Sequence, residues 1–244
     1  MTDTTAATAP ITVALVHGAF ADSSGWSGVV NQLQAELINV QAIINPLRGI
    51  THDAAYVASA LGQIPGRVLA VGHSYGGAII TNAATRAGNV VGLVYVAAFA
   101  PDEGEVLGDI TADSKDSVLN TALVELQYPT ADGGSATEYA IHPDHFHRAF
   151  AADVSETEAR VMAAVQRPVA AAAFTEKSGP AAWKTLPSWA IVAAGDTAAG
   201  ADVVRAMAKR ANATSVEVDA SHVVMVSQPT AVTAVIHEAL DALA

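Results

Sequence analysis

The stretch that decides the fold is Val68-Leu69-Ala70-Val71-Gly72-His73-Ser74-Tyr75-Gly76-Gly77. An apolar run of buried-strand length leads straight into G-x-S-x-G, and a helix-like segment, Ala78-Ile79-Ile80-Thr81-Asn82-Ala83-Ala84, follows at once. Strand, tight glycine turn and helix in that order place the central serine on a sharp bend. The glycines are needed because flanking side chains would collide in so tight a turn, while the serine itself sits in a strained conformation. The bend lifts the Ser74 hydroxyl above the sheet edge and aims the next helix N-terminus at it.

Five more short apolar runs surround this turn: Ile11–Val16, Val40–Ile44, Val91–Val96, Trp189–Ala193 and Ser215–Val218. Most are apolar on both faces, as parallel strands covered by helices on each side must be. The segments between them, such as Gly28–Leu37, Ala54–Leu61 and Gly77–Ala87, have the length and composition of crossover helices. The order predicts an α/β domain with a mostly parallel, six-stranded sheet flanked by helices. One interruption, from about Pro101 to Pro187, lacks a convincing strand and carries Pro129, Pro143, Pro168, Pro180 and the pair Gly133-Gly134. Apolar residues recur there at helical spacing (Val118, Leu119, Leu123, Leu126; Val161, Met162, Val165). The expectation is a helical cap inserted into a single domain over residues 1–244, lying over the C-terminal edge of the sheet.

A neutral serine is a poor nucleophile and needs a base, which in turn needs a carboxylate to orient it. On an elbow of this kind the acid and then the histidine follow the serine in chain order. His222 lies in a turn after Ser215–Val218 and is the expected base; His237 falls in an amphipathic terminal helix, Thr233–Ala244, and reads as surface. Asp196 ends the preceding apolar run and is the expected acid. Asp202 reads as a helix cap, and Asp219, in the same loop as His222, is the alternative that could orient it locally. An oxyanion needs two backbone N–H donors. Tyr75, after the nucleophile, should supply one and Ala19, in the turn His17-Gly18-Ala19-Phe20, the other. His17 reads as a residue holding that turn, Phe20 and Trp26 as candidates to border the substrate pocket, and Ser23-Ser24 as turn chemistry. His142, Asp144, His145 and His147 alternate in a way that invites a metal, but they read as a solvated or cap-packing cluster, and serine chemistry calls for no metal and no cofactor.

Composition narrows the function further. Half the residues are apolar, enough for a sizeable core. With 24 acidic against 12 basic residues the net charge is −12, which disfavours nucleic acid and anionic membrane surfaces as partners. There is no cysteine, so disulfides and thiolate catalysis are excluded. The longest uncharged stretch, Val68 to Thr85, is broken by Gly72, His73, Ser74 and Asn82 and is no membrane span. The opening MTDTTAATAP has neither a basic nor an apolar leader region, so a cytoplasmic enzyme is expected. Oligomeric state leaves no trace in the sequence.

Val16-His17-Gly18-Ala19-Phe20, Gly72-His73-Ser74-Tyr75-Gly76-Gly77, VYVAAFAP (94–101), RPVAAAAF (167–174), PSW (187–189) and VEVDASHVVMVSQP (216–229), in this order, resemble bacterial α/β-hydrolases similar to the plant methyl-ester esterases and hydroxynitrile lyases. The resemblance spans nearly the whole chain from Ile11 and implies the triad Ser74, Asp196, His222, the oxyanion donors Ala19 and Tyr75, and a cap built from the insertion. It departs from the group at Asp196-Thr197-Ala198-Ala199-Gly200, where relatives commonly follow the acid with a basic residue and Ile-Pro. Hydroxynitrile lyases of the group carry a threonine in the first turn and a lysine after the base. Here the turn is His17-Gly18-Ala19 and the residue after His222 is Val223. The expectation is therefore hydrolysis of a small carboxylic ester. Lactone, thioester or C–C cleavage on the same triad is the nearer rival, and a ligand-binding protein with little turnover the more distant one.

Overall fold

A computed structural model describes residues 10–244, so the reading of the N-terminal leader falls almost entirely outside the described residues. Strands and helices alternate first as β1 (Thr12–Val16), α1 (Ser27–Ala35), β2 (Val40–Ile43), α2 (Ile50–Gly62), β3 (Val68–His73), α3 (Tyr75–Ala83) and β4 (Val90–Val96). The insertion then contributes α4 (Leu107–Asp113), β5 (Leu123–Pro129), β6 (Ser135–Ile141), α5 (Pro143–Phe150), α6 (Glu156–Val165), β7 (Val169–Ala170) and α7 (Ala172–Thr175). The alternation resumes with β8 (Ser188–Ala193), α8 (Ala201–Arg210), β9 (Thr214–Val218), α9 (Val224–Ser227) and α10 (Pro229–Leu243).

Six strands form one sheet in the order β2-β1-β3-β4-β8-β9, every pair parallel. The inner strands are buried almost throughout because helices cover both faces; α1 packs on α10, and α2 on α3. That shielding is why these strands read as continuous apolar runs rather than alternating ones. The edge strand β9 is different. It leaves Thr214 to Glu217 exposed, and its sequence mixes polar and apolar residues. The chain leaves β1 toward one edge of the sheet and leaves β3 toward the other. Such a reversal of strand order opens a crevice at the carboxyl ends of the two strands, where ligands bind in open α/β sheets. Ala19 follows β1 and Ser74 follows β3, so both stand at this crevice.

The insertion departs from the helical expectation. Alongside its helices it holds a three-stranded antiparallel sheet, β5-β6-β7. The pair Gly133-Gly134 belongs to a hairpin turn, with Gly133 at φ 84° and Thr130 N–H bonded to the Gly134 carbonyl at 3.1 Å. The sequence does not distinguish these strands because they are half-exposed: β5 buries no residue fully, so leucine and valine at Leu123, Val124 and Leu126 match a helix as well as a strand. This sheet is fastened to the core where the Ala170 N–H meets the Leu47 carbonyl at 2.9 Å and Arg48 pairs with Glu138 at 2.7 Å. Arg48 also lies 4.4 Å over the Tyr128 ring. On the other flank Asp202 accepts from the Ser114 hydroxyl at 2.6 Å and the Lys115 N–H at 2.8 Å. Asp202 is thus a clasp between α8 and the insertion.

Candidate active site

Ser74 sits between β3 and α3 at φ 52°, ψ −124°, in the left-handed region that non-glycine residues avoid. The conformation is held from both sides. Its N–H donates to the Val96 carbonyl at 3.2 Å, and its carbonyl accepts from Gly77 at 2.9 Å and Phe99 at 3.2 Å. Two glycines make the bend possible. A Cβ on Gly72 would lie 2.6 Å from the Gly76 carbonyl oxygen, and one on Gly76 only 2.4 Å from that of Val16.

His222 and Asp196 approach from the ends of β9 and β8. The His222 Nδ1 lies 2.8 Å from Asp196 Oδ2, and both side chains are almost wholly buried. A carboxylate only accepts, so Nδ1 is the donor of this pair, and in the neutral imidazole that leaves Nε2 as the acceptor. The other carboxylate oxygen, Oδ1, accepts from the Ala198 and Ala199 N–H groups at 2.9 and 3.0 Å. Two backbone donors therefore orient Asp196 even though its loop lacks the expected basic and Ile-Pro residues. Asp219 is exposed, and its carbonyl accepts from Gln228; the carboxylate that meets His222 is that of Asp196.

Ala19, Phe20, Ser74, Tyr75 and His222 line one small cavity. Tyr75 is the first residue of α3, where N–H groups lack an intrahelical acceptor, and neither its N–H nor that of Ala19 has a backbone acceptor in the surrounding loops. The Tyr75 side chain points away and donates to the buried Asp53 at 2.9 Å. His17 holds the first turn: its Nε2 accepts from the Asn45 N–H at 3.0 Å and its Nδ1 bonds the Gly18 carbonyl at 2.9 Å. Burial, reinforced by the nearby Arg167 charge, lowers its pKa to about 4, so it is neutral and carries no proton to the site.

Not every expected residue reaches the cavity. Trp26 is fully buried behind it, edge-on to His73 with ring centres 6.3 Å apart. Ser24 is engaged by the Asp22 carboxylate in a local turn. His142 caps the N-terminus of α5 and His147 bonds the Val154 carbonyl at 2.9 Å. Among the described residues no three His, Cys, Asp or Glu side chains converge as metal ligands. No described helix is long and apolar enough to cross a membrane.

Other residues come to the site unannounced. Leu119, Phe150 and Phe174 of the insertion line the Ser74 cavity. Phe150 lies 4.9 Å from the His222 ring, and Ser221, next to His222, donates its hydroxyl to Asp153 of the insertion. His73 is fully buried; its Nε2 donates to the His222 carbonyl at 2.9 Å and its ring lies 4.7 Å from that of His222. Burial first, then the His222 charge, holds its pKa well below the usual histidine value, so this support is a neutral one. The position before the serine was visible in the motif, but nothing local shows that it meets a loop 149 residues away.

Several solved structures share this architecture. Polyneuridine aldehyde esterase superposes with a TM-score of 0.75 at 17% identity, covering 94% of this chain and 98% of that one. A pyrethroid hydrolase from Sphingobium faniae gives 0.72 at 20% identity, over 95% and 98% of the two chains. Tomato methylketone synthase I with bound 2-tridecanone gives 0.75 at 16% identity over 95% and 98%. At these identities the likeness is one of fold. A search of curated proteins by sequence found no match. A family model is decisive where these distant structures are not: the alpha/beta hydrolase model matches residues 13–235, from β1 into α10, and the chain belongs to the alpha/beta hydrolase family.

Proposed function

We propose that this protein hydrolyses small carboxylic esters through a covalent acyl-enzyme, with Ser74 as nucleophile and no cofactor. The observation that carries the reading is His222, hydrogen-bonded to the buried Asp196 carboxylate, lining the same cavity as a serine on a strained elbow. Esterase and hydrolase neighbours of the same fold support it.

In this mechanism the Ser74 hydroxyl attacks the ester carbonyl as His222 Nε2 takes its proton. The imidazolium is stabilised by Asp196, whose position is already set by two backbone amides and does not reorganise during the step. The carbonyl oxygen becomes an oxyanion between the Ala19 and Tyr75 N–H groups, with the α3 N-terminus behind it. Collapse expels the alcohol, which receives the proton from Nε2. Water then attacks the acyl-enzyme with His222 again as base, releasing the acid and restoring Ser74. Val223, beside the base, offers no cation to a departing cyanide, so the hydrolytic outcome is favoured over cyanohydrin cleavage.

The test is a fluorophosphonate probe with peptide mapping, together with hydrolysis of a chromogenic ester. Ser74 should be the labelled residue, and Ser74→Ala should lower kcat by about three to six orders of magnitude with the fold intact. Labelling at Ser23 or Ser24, or normal turnover without Ser74, would overturn the reading; binding of esters without turnover would point to the ligand-binding alternative.

A further inference from the structure

The Ser74 cavity is too small for any ester. At about 10 Å³ it has room for roughly one water. Immediately beside it lies a second chamber of about 320 Å³, within the size range of small-ligand sites. Phe20 and Phe150 line both spaces, so their two rings are the partition between them. The rings meet edge to face with centres 6.2 Å apart. Phe20 is held at φ 58° directly after Ala19, and Phe150 lies against His222, so the partition stands between the chamber and the reacting groups.

The chamber is chiefly apolar. Val161 and Met162 of α6, Met225 of α9 and Val223, next to His222, are among its apolar lining. Polar groups, among them Asp22, Ser24 and Glu158, complete the lining. On α6 the branched side chains Val161 and Val165, which line the chamber, stand 59% and 53% exposed, so its mouth is apolar.

We propose that this chamber is the binding site for the apolar chain of the ester, the scissile carbonyl reaching Ser74 when the Phe20 and Phe150 rings turn aside. The proposal rests on the hydrolase reading above and adds the substrate class: esters with a linear or branched hydrocarbon chain on one side of the carbonyl. A neutral, apolar occupant also suits a protein of net charge −12 better than an anionic one.

Two measurements test it, one independent of turnover. Methionine-methyl NMR of the Ser74→Ala protein, titrated with octanamide, should shift the Met162 and Met225 methyls and leave Met207, buried in α8, in place. In the active enzyme, kcat/KM should rise with chain length across p-nitrophenyl alkanoates or across alkyl acetates, by up to about fourfold per buried methylene. Met162→Trp, which fills the chamber, should cut the ratio of eight-carbon to two-carbon kcat/KM at least about tenfold. Hydrolysis without any chain-length dependence and without Met162 or Met225 shifts would overturn the chamber while leaving the hydrolase standing. If no ester is cleaved, the hydrolase reading falls; the methyl shifts then still decide whether the chamber binds an apolar chain.

Discussion

Asp196→Asn alters one atom of the site and should stop turnover, for a reason visible in the hydrogen bonds around the carboxylate. One oxygen accepts two backbone N–H groups, from Ala198 and Ala199, and the other meets His222 Nδ1 at 2.8 Å. An asparagine has one accepting oxygen and one donating NH2, so it satisfies only one of these sides. With its oxygen toward the two amides, the NH2 faces Nδ1 and His222 must carry its proton on Nε2, the nitrogen that should receive the Ser74 proton. The opposite orientation sets N–H against N–H and leaves two buried donors unpaired, at about 1–3 kcal/mol each. Moving a proton between the two nitrogens of a neutral imidazole costs far less, so the wrong tautomer prevails. A triad locked in that tautomer loses about 10⁴-fold in kcat, roughly 5 kcal/mol of transition-state stabilisation. The assay is kcat for p-nitrophenyl butyrate, with near-UV circular dichroism to check the fold and ¹⁵N shifts of His222 to read the tautomer. Asp219→Asn, an exposed change, should stay within about twofold. Retention of more than a tenth of kcat by Asp196→Asn, or a collapse of activity in Asp219→Asn, would refute the reasoning.

Two further outcomes are expected. Mandelonitrile should release no cyanide above background, because Val223 supplies no positive charge beside His222; cyanide release that depends on Ser74 would show that this position has been misread. His17 is lowered from its ordinary 6.5 to about 4 in the folded state, so the unfolded chain binds a proton first as pH falls. Its contribution to stability is therefore complete above pH 6.5 and is eroded between 6.5 and about 4, a loss on the order of 3 kcal/mol. Urea denaturation across this range should show His17→Gln taking up about one proton fewer on unfolding than the wild type; an unchanged pH slope would remove His17 as the cause.

The central sheet and the candidates for the reacting groups were legible in the order of residues alone. Parallel strands buried on both faces are apolar at most positions, so β1, β3, β4 and β8 announce themselves as runs, and the elbow's glycines are demanded because a Cβ on Gly72 or Gly76 would come within 2.6 or 2.4 Å of backbone oxygens. Chain order then leaves few candidates for base and acid, and the structure brings one of them, His222, to the Ser74 cavity and pairs it with another, Asp196. The remaining features depend on contacts between distant segments. The β5-β6-β7 sheet is half-solvated, so its pattern is as helical as it is extended until the strands pair. Trp26 lies behind His73 rather than in the pocket, because which way a buried aromatic faces is set by its neighbours and not by its position in the chain. Phe150 and Phe174 reach Ser74 from a segment whose local pattern records burial but not the partner against which it is buried. The size of the space around the serine, and its division by two phenylalanine rings, are properties of packing alone: they follow from how closely the cap settles on the core, a distance that no local run of residues encodes.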